Sequence, residues 1–196
     1  SYAQEGFVYL RDGGDRWGAG KRARELAPEY GITYRTPLAP LCRKGHYGAF
    51  IGLTYESYKE YRDLITLQRI QGADFVKIMI SGLMDFDHFG VLTDVPREKE
   101  EIRELIHIAH EEGFSVMVHA NGARTVEAAA AAGVDSVEHG AYLDENKASS
   151  VKIGDLHIDE GAYFTLRVGI KPDAVNLGGM NLFGECFGNY QQNIIC

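Results

Sequence analysis

Cysteine is scarce in this chain, and the three present, Cys42, Cys186 and Cys196, are widely spaced with no Cys-x-x-Cys pair. An odd number at such spacing disfavours both a disulfide framework and a thiolate zinc site, and leaves free thiols as the plain reading. Positive charge is also in deficit, with 20 Lys and Arg against 28 Asp and Glu for a net charge of -8. A nucleic-acid backbone is therefore not the expected partner, because phosphate binding depends on clustered cations. Apolar runs long enough to span a bilayer are missing, as is a signal-peptide pattern at the start, so the cytoplasm is the expected compartment. No Gly-x-Gly-x-x-Gly and no Gly-Lys-Ser/Thr follows any strand-like run, which removes the usual support for dinucleotide or P-loop binding. Internal repeats and low-complexity segments are lacking too.

What is present is a globular composition, 45% hydrophobic and 24% charged over 196 residues. That length buries one sizeable core and carries at most a small appendage. Three apolar runs organise it: Phe75 to Ser81, Val116 to Gly122 and Ser136 to Gly140. A helix opening after Pro96 and closing before Gly113 separates the first two, and another from about Arg124 to Ala132 separates the second and third. Strand, helix, strand, helix, strand is the pattern of parallel βαβ units, and near-continuous Val and Ile runs are what buried parallel strands require. Ile102, Leu105, Ile106 and Ala109 share one stripe of the first helix, leaving His107 and His110 to its polar side. Earlier, residues 6–11 and 32–38 read as strands, 17–26 and 55–71 as helices, and 41–52 as a long strand-to-helix loop. Five consecutive β-then-α units give an α/β fold, either a (β/α) barrel or a doubly wound sheet.

The long connection 82–95 carries Phe86, His88 and Phe89. It suits a lid over a substrate, or equally a surface loop folding its aromatics onto the rim. Lys77, His119 and His139 each stand in or at the end of one of the three runs. Taken singly, such a lysine usually snorkels or pairs with a carboxylate, and such a histidine is usually a satisfied core group. Together they place three ligand-capable side chains along one edge of a parallel sheet.

The segments Gly-Ala-Asp-Phe-Val-Lys-Ile (72–78), Val-His-Ala-Asn-Gly (118–122) and Ser-Val-Glu-His-Gly (136–140) resemble the metal-dependent amidohydrolase superfamily, in the branch of imidazolonepropionase and the Xaa-Pro dipeptidases. Leu10-Arg11-Asp12-Gly13-Gly14 and the Lys44-Gly45-His46 turn extend the likeness to roughly residues 6–145. The resemblance implies a partial (β/α)8 TIM-type barrel, about strands 2 to 6. It implies a carboxylated lysine at Lys77 bridging divalent metals, zinc above all, with His119 and His139 as ligands of the second metal. It further implies His46 near substrate, and His88 joins it as a substrate-binding candidate from the long loop. The chemistry expected is hydrolysis of a C–N bond in a small amide, dipeptide or cyclic amide. A buried lysine favours its neutral amine, which reacts with carbon dioxide, and a carbamate with two imidazoles leaves a coordination position open for water.

Two features of that family are not found: the His-x-His pair of its first strand and the aspartate of its eighth, so no catalytic residue is assigned. A barrel of this type takes about 250 residues, so the chain reads as a fragment. Residues 1–147 form the barrel part and 148–196 a β-rich extension, with strands expected at 151–158, 163–170 and 192–195 and a Gly- and Asn-rich loop at 176–184. Unpaired sheet edges imply a homo-oligomer or association with a complementary chain. The alternative function is a non-catalytic remnant or binding module that uses the barrel half as scaffold.

Overall fold

A computed structural model of the protein describes residues 2–88 and 90–141, together with four two-residue strands further on. Strand β1 (Tyr9–Arg11) runs through helix α1 (Ala19–Leu26) to β2 (Thr33–Arg35), its parallel partner. Two short strands follow, β3 (Leu41–Arg43) and β4 (Leu53–Tyr55), then α2 (Tyr58–Ile70), β5 (Val76–Met79), α3 (Lys99–Glu111), β6 (Val116–Ala120), α4 (Ala123–Ala131) and β7 (Ser136–His139). Five of these strands form one parallel sheet in the order β4-β3-β5-β6-β7. The fold is thus α/β, as the pattern requires, and of its two architectures it is the partial TIM-type barrel that the resemblance implies.

The expectation of an unbroken loop over 41–52 is corrected by β3. Pro37 and Pro40 lack donors, and Leu38 between them adopts a left-handed φ of 67°. The chain kinks there, so β2 and β3 become successive halves of one sheet position. At the lower half the Asp74 N–H donates to the Thr36 carbonyl at 2.9 Å, and at the upper half Leu41 lies in register with Ile78.

The two faces of the sheet differ as a period of two demands. Leu41, Val76, Ile78, Ile80, Val116, Val118 and Ala120 turn outward into one core with Tyr61 and Ile65 of α2, Ile102, Leu105, Ile106 and Ala109 of α3, and Val126 and Ala129 of α4. Tyr61 is buried there because its hydroxyl donates to the Leu105 carbonyl at 3.1 Å. Helix α2 starts where it does because the Ser57 side chain accepts the Glu60 N–H, while the Glu60 carboxylate accepts the Glu56 N–H. His107 and His110 lie exposed on the polar side of α3, beside Glu111 and Asp135.

On the inner face, Lys77 and Met79 stand level with Met117 and His119, which stand level with Ser136 and Glu138. The sheet is strongly curved. From β1 to β7 there are four strand spacings, roughly 19 Å if flat, yet the Arg11 guanidinium donates to the Glu138 carboxylate at 3.0 Å. Only a sheet curling around its inner face brings those ends together.

Beyond residue 141, Lys152–Ile153 pairs antiparallel with Leu156–His157, and Asn176–Leu177 with Met180–Asn181. The stretch 151–158, expected as one strand, therefore contains an antiparallel pair, and the stretch expected as a loop contains another. The strands expected at 163–170 and 192–195 lie outside the described residues. Among the described residues no helix is long and apolar enough to cross a membrane.

Candidate metal centre

Lys77 leaves the middle of β5 on the inner face and is 4% exposed. Burial pushes its ammonium down to about 8, with Glu138 opposing and Arg11 assisting that shift. Among the described residues Nζ reaches no hydrogen-bond or ion-pair partner.

His119, one residue before the end of β6, is 1% exposed. Its Nε2 lies 3.1 Å from the Gly82 carbonyl oxygen. Asn121 Nδ2 stands 3.4 Å from the same nitrogen, but the carbonyl is nearer and only accepts, which assigns the proton to Nε2 and leaves Nδ1 a free lone pair. Burial, then the neighbouring His139 and Lys77, hold this imidazole well below its usual range, so the neutral ring is the stable form.

His139 ends β7, and strict alternation would turn it outward, opposite to Glu138. Its φ of 74° prevents this. The left-handed backbone reverses the side chain and brings the ring edge-on to His119, centroids 4.7 Å apart. A non-glycine residue in that region is uncommon and concentrates at functional positions. Burial, with Lys77 adding to it, lowers the His139 pKa to about 4, and its ring has no hydrogen-bond partner among the described residues.

Among the described residues no three His, Cys, Asp or Glu side chains cluster as a ready-made cation site, so a cation held by His119 and His139 would need a third arm of another kind, such as Lys77 would offer. The donor chemistry fits that role. Two neutral imidazoles offer lone pairs, and a buried amine without a partner stands close enough for its charge to act on both.

His46 is half-buried and lies beside the centre rather than in it. Its Nδ1 sits 3.1 Å from the Asp94 carboxylate and is also met by Arg97. Asp94 accepts the Tyr47 N–H at 2.7 Å as well, fixing the turn so that the Tyr47 ring stacks on His119 at 4.7 Å. Phe50, 62% exposed, packs edge-on against Tyr47. His88 is placed differently. The connection 82–95 folds into a hairpin through the Met84–Leu92 bridge, and His88 lies exposed near its tip, bonded to Asp85. Phe86 is exposed there, while Phe89 lies outside the described residues.

Sequence reasoning passed over Tyr47, Asp94, Asn121, Glu138 and Arg11. Asn121, Glu138 and Arg11 stand inside the very motifs that carry the resemblance, but nothing local reveals which partner each one meets. A separate cavity of about 260 Å³ lies at the opposite end of the strands, lined by Arg11, Arg35, Asp74, Ser115 and Ser136 among others. Its arginines are paired to Glu138 and Asp74, and it does not include the imidazoles.

Three comparisons bear on this geometry. A model of the amidohydrolase family matches residues 21–182. Ochratoxinase of Aspergillus niger is 30% identical over 129 residues, 63% of this chain and 24% of that protein. Among solved structures, a Xaa-Pro dipeptidase with methionine bound in its active site superposes with a TM-score of 0.59 at 23% identity, covering 74% of this chain and 39% of that one. A prolidase complexed with N-methylphosphonate-L-proline gives 0.56 at 22% identity, covering 76% and 41%. The chain thus spans about a quarter of the length of the curated relative and about two fifths of the solved ones.

Proposed function

The chain belongs to the amidohydrolase family, and from that premise we propose that it supplies the lysine and two-histidine part of a centre that hydrolyses amide bonds in a small amide, dipeptide or cyclic amide. The observation that carries this reading is the convergence of Lys77, His119 and His139, two of them without hydrogen-bond partners, with both imidazoles neutral and the lysine pKa lowered by burial. Amidohydrolases generally use divalent metals, and zinc is proposed here because it suits neutral imidazole.

When bound, such a cation supplies a Lewis acid that polarises the amide carbonyl and acidifies water. The residues prepare for it. His119 presents Nδ1 because Nε2–H is held on Gly82. His139 presents its ring because its backbone is left-handed. With a pKa of about 8, Lys77 is neutral in roughly a tenth of molecules at pH 7. Its lone pair forms an N–C bond to carbon dioxide, the amine proton passes to solvent, and the carbamate becomes an anionic arm. Tyr47 and Phe50 give the rim an aromatic wall for the apolar side of a substrate, with His46 beside them. His88, bonded to Asp85 near an exposed hairpin tip, takes no role in this reading. Groups that complete the reaction come from outside the described residues or from another chain.

The test is metal content per chain, measured by elemental analysis after purification without chelators, beside Lys77→Ala and His139→Ala. About one divalent ion per chain, lost in both variants, is expected for a three-armed site. Folded protein without metal in all three would leave the scaffold or binding role.

A further inference from the structure

Asn121 follows the strand that carries His119 and is 1% exposed, yet it is neither core packing nor a candidate ligand. Its backbone N–H donates to Ser81 Oγ at 2.8 Å. Its side-chain Nδ2 donates to the Gly82 carbonyl at 3.0 Å, and its Oδ1 accepts the Ala141 N–H at 3.1 Å. Gly122 completes the link by donating to the Ala141 carbonyl at 2.7 Å. One residue therefore ties together the chain leaving β5, β6 and β7.

Each end of the amide meets one imidazole's support. The Gly82 oxygen receives Asn121 Nδ2–H at 3.0 Å and His119 Nε2–H at 3.1 Å, with Ser81 Oγ 3.2 Å away, and Asn121 Nδ2 itself stands 3.4 Å from His119 Nε2. Gly82 cannot retreat from them, since its backbone is packed so closely on Asp94 that a Cβ would stand 2.3 Å from the Asp94 nitrogen. At the other end, the left-handed His139 backbone costs about 1–2 kcal/mol and persists only where its surroundings over-determine it. Gly140 bonds back to the Ala120 carbonyl, and Asn121 and Gly122 hold Ala141 from both sides. A neutral amide donates at one end and accepts at the other, which an ionised aspartate of the same size cannot do.

We propose that Asn121 is the positioning residue for both imidazoles: it fixes the Nε2–H tautomer of His119 through the shared Gly82 carbonyl and the turn that delivers His139 through the Ala141 amide. Its value for cation binding rests on the reading of this site as a metal centre, but its structural effect does not.

The experiment uses metal-free full-length chain. Nitrogen-15 NMR of the histidine rings reports the tautomer of His119, and amide exchange reports Ala141 N–H. The wild type is expected to hold His119 as the Nε2–H form with Ala141 protected. In Asn121→Ala, His119 is expected to become a tautomer mixture and Ala141 to exchange at least about tenfold faster, with zinc binding weakened about 10- to 100-fold. An Nδ1–H tautomer in the wild type overturns the proposal even if the variant does not fold. An unchanged tautomer and unchanged exchange in a folded variant overturn it as well. If neither protein binds zinc, the function proposed above fails while the tautomer and exchange data still decide the role of Asn121.

Discussion

Lys77 carries a charge in a place poorly suited to hold one. Its pKa of about 8, against 10.5 in the open, comes first from burial. Between those two values the unfolded chain binds more protons than the folded one, so stability rises with pH across the window from 8 to 10.5. Below pH 8 the whole cost is present, roughly 3 kcal/mol for a shift of this size. Lys77→Met keeps the length and removes the charge. It is expected to be more stable than wild type by about that amount at pH 7, with the gain shrinking towards pH 10.5. Urea unfolding at pH 7 and pH 10 in metal-free, carbon dioxide-free buffer measures it, and equal stabilities at pH 7 would mean that the ammonium is satisfied. At this scale the sequence was legible for where Lys77, His119 and His139 stand, each in or at the end of a strand of one parallel sheet. It was silent on how His139 points. Alternation along the strand turns that ring outward, and the positive φ that overrides alternation is set by bonds to Ala120, Asn121 and Gly122 rather than by any local turn signal.

The elements that bracket the centre are held by contacts distant in sequence. Asp94 closes the hairpin 82–95 onto the turn after β3, accepting the N–H of Tyr47 and of Val95 and meeting His46. Burial works to raise its carboxyl pKa, but those backbone and histidine hydrogen bonds outweigh it and hold the group below its ordinary value. Replacing it by alanine leaves the Tyr47 N–H without its acceptor and frees the ring stacked on His119. Asp94→Ala is expected to cost about 2 kcal/mol and to raise the exchange rate of the Tyr47 amide at least about tenfold; an unaltered Tyr47 amide would show that the turn holds itself. Helices α2, α3 and α4 were readable because their apolar stripes repeat at the helical period over nine or more residues. Strands β3 and β4 were not. Each has three residues, with Arg43 and Thr54 among them, and prolines and glycines flank them. What makes them strands is pairing with each other and with β5, which no local pattern records.

At the scale of the whole molecule, curvature is what turns a row of strands into a site. A parallel sheet covered by helices on its outer face leaves the inner face to whatever side chains the opposite strands contribute. Here the Arg11–Glu138 pair, 127 residues apart in sequence, joins the first strand to the last across that face. Both motifs could be read separately, but their meeting depends on the summed twist and coiling of the intervening strands, which the sequence does not state locally. The pair also sets the electrostatics above it, since Glu138 raises the Lys77 pKa and Arg11 lowers it. Arg11→Met removes the cation and leaves the carboxylate to act on Lys77 alone. The Lys77 pKa is then expected to rise above 8, so a higher pH is needed to reach the neutral amine that takes up carbon dioxide. Carbamate formation followed by carbon-13 NMR in labelled bicarbonate should move its pH midpoint upward in the variant. A midpoint that stays in place would mean that the curl of the sheet does not bring the charges of its two ends to bear on Lys77.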